Sequence, residues 1–281
     1  MTTDMLTEKK YHLAYTAEGD PTNPAIILLH GWFSHGGGWY QTIDALKDRY
    51  YCVAPDLLGF GESDKPKDGN YSIEAQGKRV LALADALKID RFILIGHSMG
   101  GQTALCIASM LAPERVNKLV DVSGVVSGQP TQLTKILEAL SIEVVWRFPP
   151  LWPLVYGIDD VIWWIRKQIL RPFFHDAGAI PELAEAIDRY LLIRPGIVIP
   201  MHKAYHAICS LDLRPHLAKI VAPTLVIFGA LDAIVPVSDG RLVCDQVANS
   251  RLVLINKCGH IPHYERPVEY LQALETFLRE E

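Results

Sequence analysis

The sequence predicts a doubly wound α/β fold organised around a mostly parallel sheet. Three observations lead there: short apolar runs recur between turn residues, several are continuously rich in Ile, Leu and Val, and helix-period segments lie between them. At 281 residues, with 49% hydrophobic and 21% charged residues, the chain suits one large α/β domain with an inserted subdomain. The same composition excludes global disorder.

In chain order, strands are expected at 11–15, 25–29, 51–54, 92–95, 119–122, 224–228 and 252–255. Helices are expected at 72–87, 103–111, 238–247 and 268–278. Two uncharged stretches, 25–43 and 92–113, are long enough to suggest a membrane span. The first carries His30, Ser34, His35 and three glycines, and the second Gly96, His97, Ser98, Gly100, Gly101 and Gln102. Each therefore reads as a buried strand, a polar turn and a helix start, and no integral membrane segment is expected.

From about Ser127 to Asp212 the alternation stops, and helix-like stretches are punctuated by Pro149, Pro150, Pro153, Pro172, Pro181 and Pro195. Four of the six tryptophans, Trp146, Trp152, Trp163 and Trp164, fall here. The reading is an α/β core formed by 1–126 and 213–281 with a helical lid inserted at 127–212. Such a lid adds an apolar wall to a substrate cleft; the alternative for each ring is that it only packs the insertion onto the body.

The 27 Lys and Arg against 32 Asp and Glu give a net charge of −5, with no basic block to neutralise phosphates, so nucleic acid is not an expected partner. Five cysteines, odd in number and without C-x-x-C spacing, suit neither a disulfide framework nor a zinc site and read as reduced thiols. Charges at Asp4, Glu8, Lys9 and Lys10 leave no apolar signal-like run at the start, so a cytoplasmic location is the expectation.

The sharpest chemical signal is Gly96-His97-Ser98-Met99-Gly100, a G-x-S-x-G turn between an expected strand and an expected helix. Its glycines permit a tight turn, and Ser98 is held at the tip with its hydroxyl exposed near a helix N-terminus. The competing reading of Ser98 is an ordinary helix cap. Serine needs a base and a group to orient that base. His260 follows the last expected strand, Asp232 follows the one before it, and the order Ser98, Asp232, His260 is that of a strand-to-helix nucleophile triad. His263 is the nearest competitor for the base, and Asp64, Asp121 and Asp239 are rival carboxylates. His260 and His263 lack the further ligands a metal pair needs. The backbone N–H groups of Trp32 and Met99 are the expected donors to a developing oxyanion, leaving both side chains free to line the cleft. Candidate pocket residues are Phe33, His97, Trp146, Trp152, Trp163 and Trp164, with His97 also placed to pack or hydrogen-bond beside the elbow. The glycine clusters at 36–38 and 59–61 match no nucleotide-binding pattern, so no cofactor is expected.

These residues resemble the α/β-hydrolase superfamily over nearly the whole chain. The landmarks are His30-Gly31, the loop from Pro55 to Ser63, the elbow from Gly96 to Gly100, Asp232 and His260. The resemblance implies an eight-stranded sheet with a helical cap at the insertion. Dehalogenases and epoxide hydrolases of this fold carry Asp at the elbow, where this chain has Ser98. Perhydrolases usually follow the oxyanion-loop Trp with Pro, where Phe33 stands here. The resemblance implies a serine hydrolase acting with water on small to medium apolar carboxylic esters. Meta-cleavage-product hydrolases, which cut C–C bonds, and acyltransferases share the triad, and a ligand receptor on a hydrolase scaffold is the reading from another class.

Overall fold

The computed structural model describes residues 2–7, 11–129, 131, 135, 171–175 and 198–280. Eight strands form one sheet: β1 (Thr2–Thr7), β2 (Tyr11–Glu18), β3 (Ala25–Leu29), β4 (Tyr51–Pro55), β5 (Phe92–His97), β6 (Val116–Val122), β7 (Thr224–Gly229) and β8 (Ser250–Ile255). Their spatial order is β1-β2-β4-β3-β5-β6-β7-β8. The β1–β2 and β2–β4 pairs are antiparallel and all the others are parallel. The described α-helices are α1 (Tyr40–Leu46), α2 (Ile73–Ala86), α3 (Met99–Cys106), α4 (Val198–Ser210), α5 (Val237–Gln246), α6 (Pro262–Glu265) and α7 (Pro267–Arg279).

The uninterrupted apolar strands follow from burial on both faces. In β3, Ile27 and Leu29 face a core shared with Val80 and Leu83 of α2, Ala104 and Leu105 of α3, and Val243 of α5. Ile26 and Leu28 face the opposite core with Ile43 and Leu46 of α1 and Tyr270, Leu274 and Phe277 of α7. Period-two alternation thus serves two apolar layers, so no polar face interrupts the run.

Seven strands and four helices stand close to their sequence-based positions. Ser72 caps α2, its hydroxyl accepting from the Ala75 N–H at 3.2 Å. The helix expected at 103–111 begins earlier, at Met99, because β5 feeds directly into it through Ser98; residues Ile107–Leu111 continue it as a π-helical turn. Strand β1 was not among the runs read from the residues. Its Thr-Thr-Asp-Met-Leu-Thr sequence lacks an apolar core pattern, and it pairs on one side only, with β2, as an edge strand. Of the insertion expected at 127–212, α4 and the short turn Arg171–Phe173 are described. Trp146, Trp152, Trp163 and Trp164 lie outside the described residues.

Candidate active site

Ser98 stands between β5 and α3 with φ 55° and ψ −115°. For a residue with a Cβ this is a strained conformation, costing about 1–3 kcal/mol, and packing around it must hold it. Close backbone approach explains the flanking glycines. A Cβ on Gly96 would come within 2.2 Å of the Gly100 carbonyl oxygen, and one on Gly100 within 2.1 Å of the Leu29 carbonyl oxygen. The Ser98 N–H donates to the Val122 carbonyl at 2.9 Å, tying the turn to β6.

Three side chains from three loops at one end of the sheet converge there. The Ser98 hydroxyl lies 3.0 Å from Nε2 of His260, and Nδ1 of His260 lies 2.8 Å from Oδ2 of Asp232. Asp232 can only accept, so Nδ1–H donates to it and Nε2 is left to accept from the serine. The second oxygen of Asp232 accepts from the N–H groups of Ile234 at 2.9 Å and Val235 at 3.0 Å. The histidine and aspartate side chains are excluded from solvent, and Ser98 is 8% exposed.

The loop carrying His260 is fixed by polar contacts that sequence reasoning missed. Its N–H donates to the Phe173 carbonyl at 2.8 Å. Glu265, buried in α6, accepts from the Gly259 N–H at 2.8 Å and the His175 N–H at 3.0 Å. A carboxylate two residues past His263 was the available signal, but its partners are backbone groups remote in sequence.

The rival residues sit elsewhere. Nε2–H of His97 donates to the His260 carbonyl at 2.9 Å, and its ring packs at 4.8 Å against His263. His97 therefore lies behind His260 and is not among the described residues lining the cavity at Ser98. Burial, with the His263 and His260 rings adding to it, holds the His97 imidazole well below its ordinary range, so it is neutral. His263 stacks on Trp39 at 4.5 Å, and burial pushes its pKa down to about 3. Asp64 accepts from the His12 N–H at 2.8 Å, away from the triad. Asp121, on β6, is fully buried against Gly101 and Gly124 without a well-formed hydrogen bond. Burial pushes its carboxyl up to about 8, with the charge of Asp239 adding to the effect.

The loop after β3 is held by His30, whose Nδ1–H donates to the Gly31 carbonyl at 2.8 Å while Nε2 accepts from the Leu57 N–H at 3.0 Å. Burial lowers the His30 pKa to about 4, so it stays neutral in this role. Gly31 packs against Ser98; a Cβ there would meet that of the serine at 3.1 Å. Trp32, next in sequence, lines a small cavity with Ser98. Its indole N–H donates to the Met201 carbonyl on α4 at 2.9 Å. Phe33, at φ 63°, packs edge-on against the Trp32 ring at 4.0 Å. Met99 opens α3, so its N–H has no acceptor within the helix. Its side chain does not line the cleft but is wholly buried in the core below, because it starts a helix packed on the sheet.

Among the described residues no three His, Cys, Asp or Glu side chains converge as a metal site, and both ring nitrogens of His260 are engaged, with Asp232 and Ser98. No described helix is long and apolar enough to cross a membrane.

A family model described as the alpha/beta hydrolase fold matches residues 24–153. A 2-hydroxy-6-oxononadienedioate/2-hydroxy-6-oxononatrienedioate hydrolase from Paraburkholderia xenovorans is 30% identical, the match covering 96% of this chain and 91% of that one. The chain belongs to the α/β-hydrolase fold family. A 3-oxoadipate enol-lactonase from Acinetobacter baylyi is 28% identical over 98% of this chain and 96% of its own. The crystal structure of a hydrolase from Pseudomonas aeruginosa superposes with a TM-score of 0.82 at 25% identity, covering 99% of this chain and 98% of that one. The likeness to hydrolases therefore extends over nearly the full length of this α/β hydrolase, not only the elbow segment.

Proposed function

We propose that this α/β hydrolase cleaves carboxylic esters of small to medium size through Ser98, His260 and Asp232. The observation carrying this reading is the unbroken chain from the Ser98 hydroxyl to Nε2 of His260 at 3.0 Å and from Nδ1 to Asp232 at 2.8 Å. His260 takes the serine proton as Oγ adds to the ester carbonyl, and the tetrahedral oxyanion forms between the N–H groups of Trp32 and Met99. Collapse expels the alcohol, which receives the proton from His260. Water, deprotonated by the same imidazole, then releases the acid and restores Ser98. Asp232 holds the tautomer that leaves Nε2 free to accept, and stabilises the imidazolium when it forms.

Residues 127–212 are the cap in this reading, supplying the wall of the cleft opposite Ser98. The contact of Trp32 with α4 supports that assignment, since α4 falls inside the segment. Five cysteine thiols, three of them buried, suit a reducing, cytoplasmic setting. An enol-lactone is itself an ester, so the Acinetobacter baylyi relative favours ester chemistry. The Paraburkholderia xenovorans hydrolase keeps a second reading, C–C hydrolysis by the same triad.

Turnover of p-nitrophenyl esters by the wild type and by Ser98→Ala tests the proposal. A loss of at least about 1000-fold is expected; full activity in the variant overturns the assignment of the nucleophile. Parallel assays on a vinylogous dienoate substrate separate C–C from ester hydrolysis.

A further inference from the structure

The cavity that opens on Ser98 is walled by Trp32, Val125, Phe173, Ile208, Ile234 and Asp239, among others. Asp239 stands out on this wall. It lies in the first turn of α5, is 3% exposed, and among the described lining residues it is the one carboxylate. Oδ2 is committed: it accepts from the Val126 N–H at 2.8 Å, the Ser127 N–H at 3.1 Å and the Ser127 hydroxyl at 3.3 Å. Oδ1 has no partner among the described residues. Arg214 is exposed and forked onto Asp212, at 2.9 Å and 2.7 Å from its two oxygens. The second buried acid nearby, Asp121, offers no hydrogen bond to Asp239.

A buried carboxylate with one oxygen satisfied and the other open to a cavity favours a donor and repels an anion. Resting on the serine-hydrolase reading above, we propose that Asp239 is a specificity-determining residue. It selects substrates whose arm carries a hydrogen-bond donor, a hydroxyl in the simplest case, and rejects arms that end in a carboxylate. Oδ1 accepts the donor while Oδ2 stays anchored to the turn at 126–127, so the acceptor is fixed before substrate arrives. A carboxylate arm would bring a second negative charge into a pocket with little water to screen it.

The test is the second-order rate at which Ser98 is labelled by three fluorophosphonates with six-carbon arms of equal length, ending in methyl, hydroxyl or carboxylate. In the wild type the hydroxyl probe should label at least about tenfold faster than the carboxylate probe. In Asp239→Asn, which keeps an oxygen for the Val126 and Ser127 donors, that ratio should fall to within about twofold. Equal wild-type rates for the hydroxyl and carboxylate probes overturn the proposal without any variant, as does a ratio that survives Asp239→Asn. Labelling of Ser98 by none of the three overturns the serine-hydrolase reading itself, whereas labelling without discrimination overturns only the role of Asp239.

Discussion

The two loops that meet at the triad are held by different physics. The β5–α3 turn is held by close packing: glycine backbones at 96 and 100 sit against carbonyl oxygens, and Ser98 keeps a positive φ because the backbone around it leaves no room to relax. The loop after β8 is held by hydrogen bonds, through the Phe173 carbonyl, Glu265, Asp232 and the His97 ring. The buried acids differ in the same way. Around His260, Asp232 and Glu265 have their oxygens filled by N–H donors. Behind the elbow, Asp121 has none that is well formed. Packing fixes Ser98, and polar networks fix His260. Damage to the first should therefore appear mainly as lost stability, and damage to the second mainly as lost rate.

Asp232→Asn should break the comparison on the polar side most severely. An amide can donate to Nδ1 and trap the wrong tautomer, so ester turnover should fall about 10⁴-fold while the thermal midpoint moves by only a few degrees; steady-state kinetics and calorimetry on the same preparation check both halves. On the packed side, Gly100→Ala places a Cβ 2.1 Å from the Leu29 oxygen. It should cost about 3–5 kcal/mol in urea-induced unfolding, and a loss within 1 kcal/mol would show that the elbow can relax. Asp121→Asn sharpens the contrast between the acids. A folded-state pKa of about 8, against about 3.9 unfolded, means that the neutral form's stabilisation is complete below pH ~4 and is lost as pH rises through ~8. The variant should thus gain stability relative to the wild type as pH increases, by about 3–4 kcal/mol between pH 5 and pH 8, measured as the difference in unfolding free energy at the two values. Glu265→Gln should have the smallest effect, lowering kcat about tenfold with KM nearly unchanged, because it loosens the base loop without touching the cleft.

The elbow was legible in sequence because its constraints are local. Strand, two glycines, serine and helix are contiguous, and the close contacts are those the spacing demands. The order of Asp232 and His260 was legible too, each following a strand of the same parallel sheet. What supports His260 was not. Phe173 and His175 come from the segment read as an insertion, and Glu265 looks like any acid near a helix start until the chain is folded. His97 allowed two readings, a pocket residue or a local hydrogen-bonding partner, and its side chain follows the second, bonding the His260 carbonyl. Met99 misled, its N–H and its side chain facing different surroundings. Strand β1 was invisible because its stability comes from edge pairing with β2 rather than from apolar pattern.

The His97 ring stands between Gly31 and the main chain of His260, its Nδ1 2.8 Å from where a Cβ on Gly31 would lie and its Nε2 bonded to the His260 carbonyl. One imidazole thus acts as a spacer whose width sets the gap between the segment following β3 and the C-terminal loop. A substitution that widened or narrowed this spacer should therefore shift both segments at once, and a segment grafted in their place would have to fit the same gap at positions 31, 97 and 260.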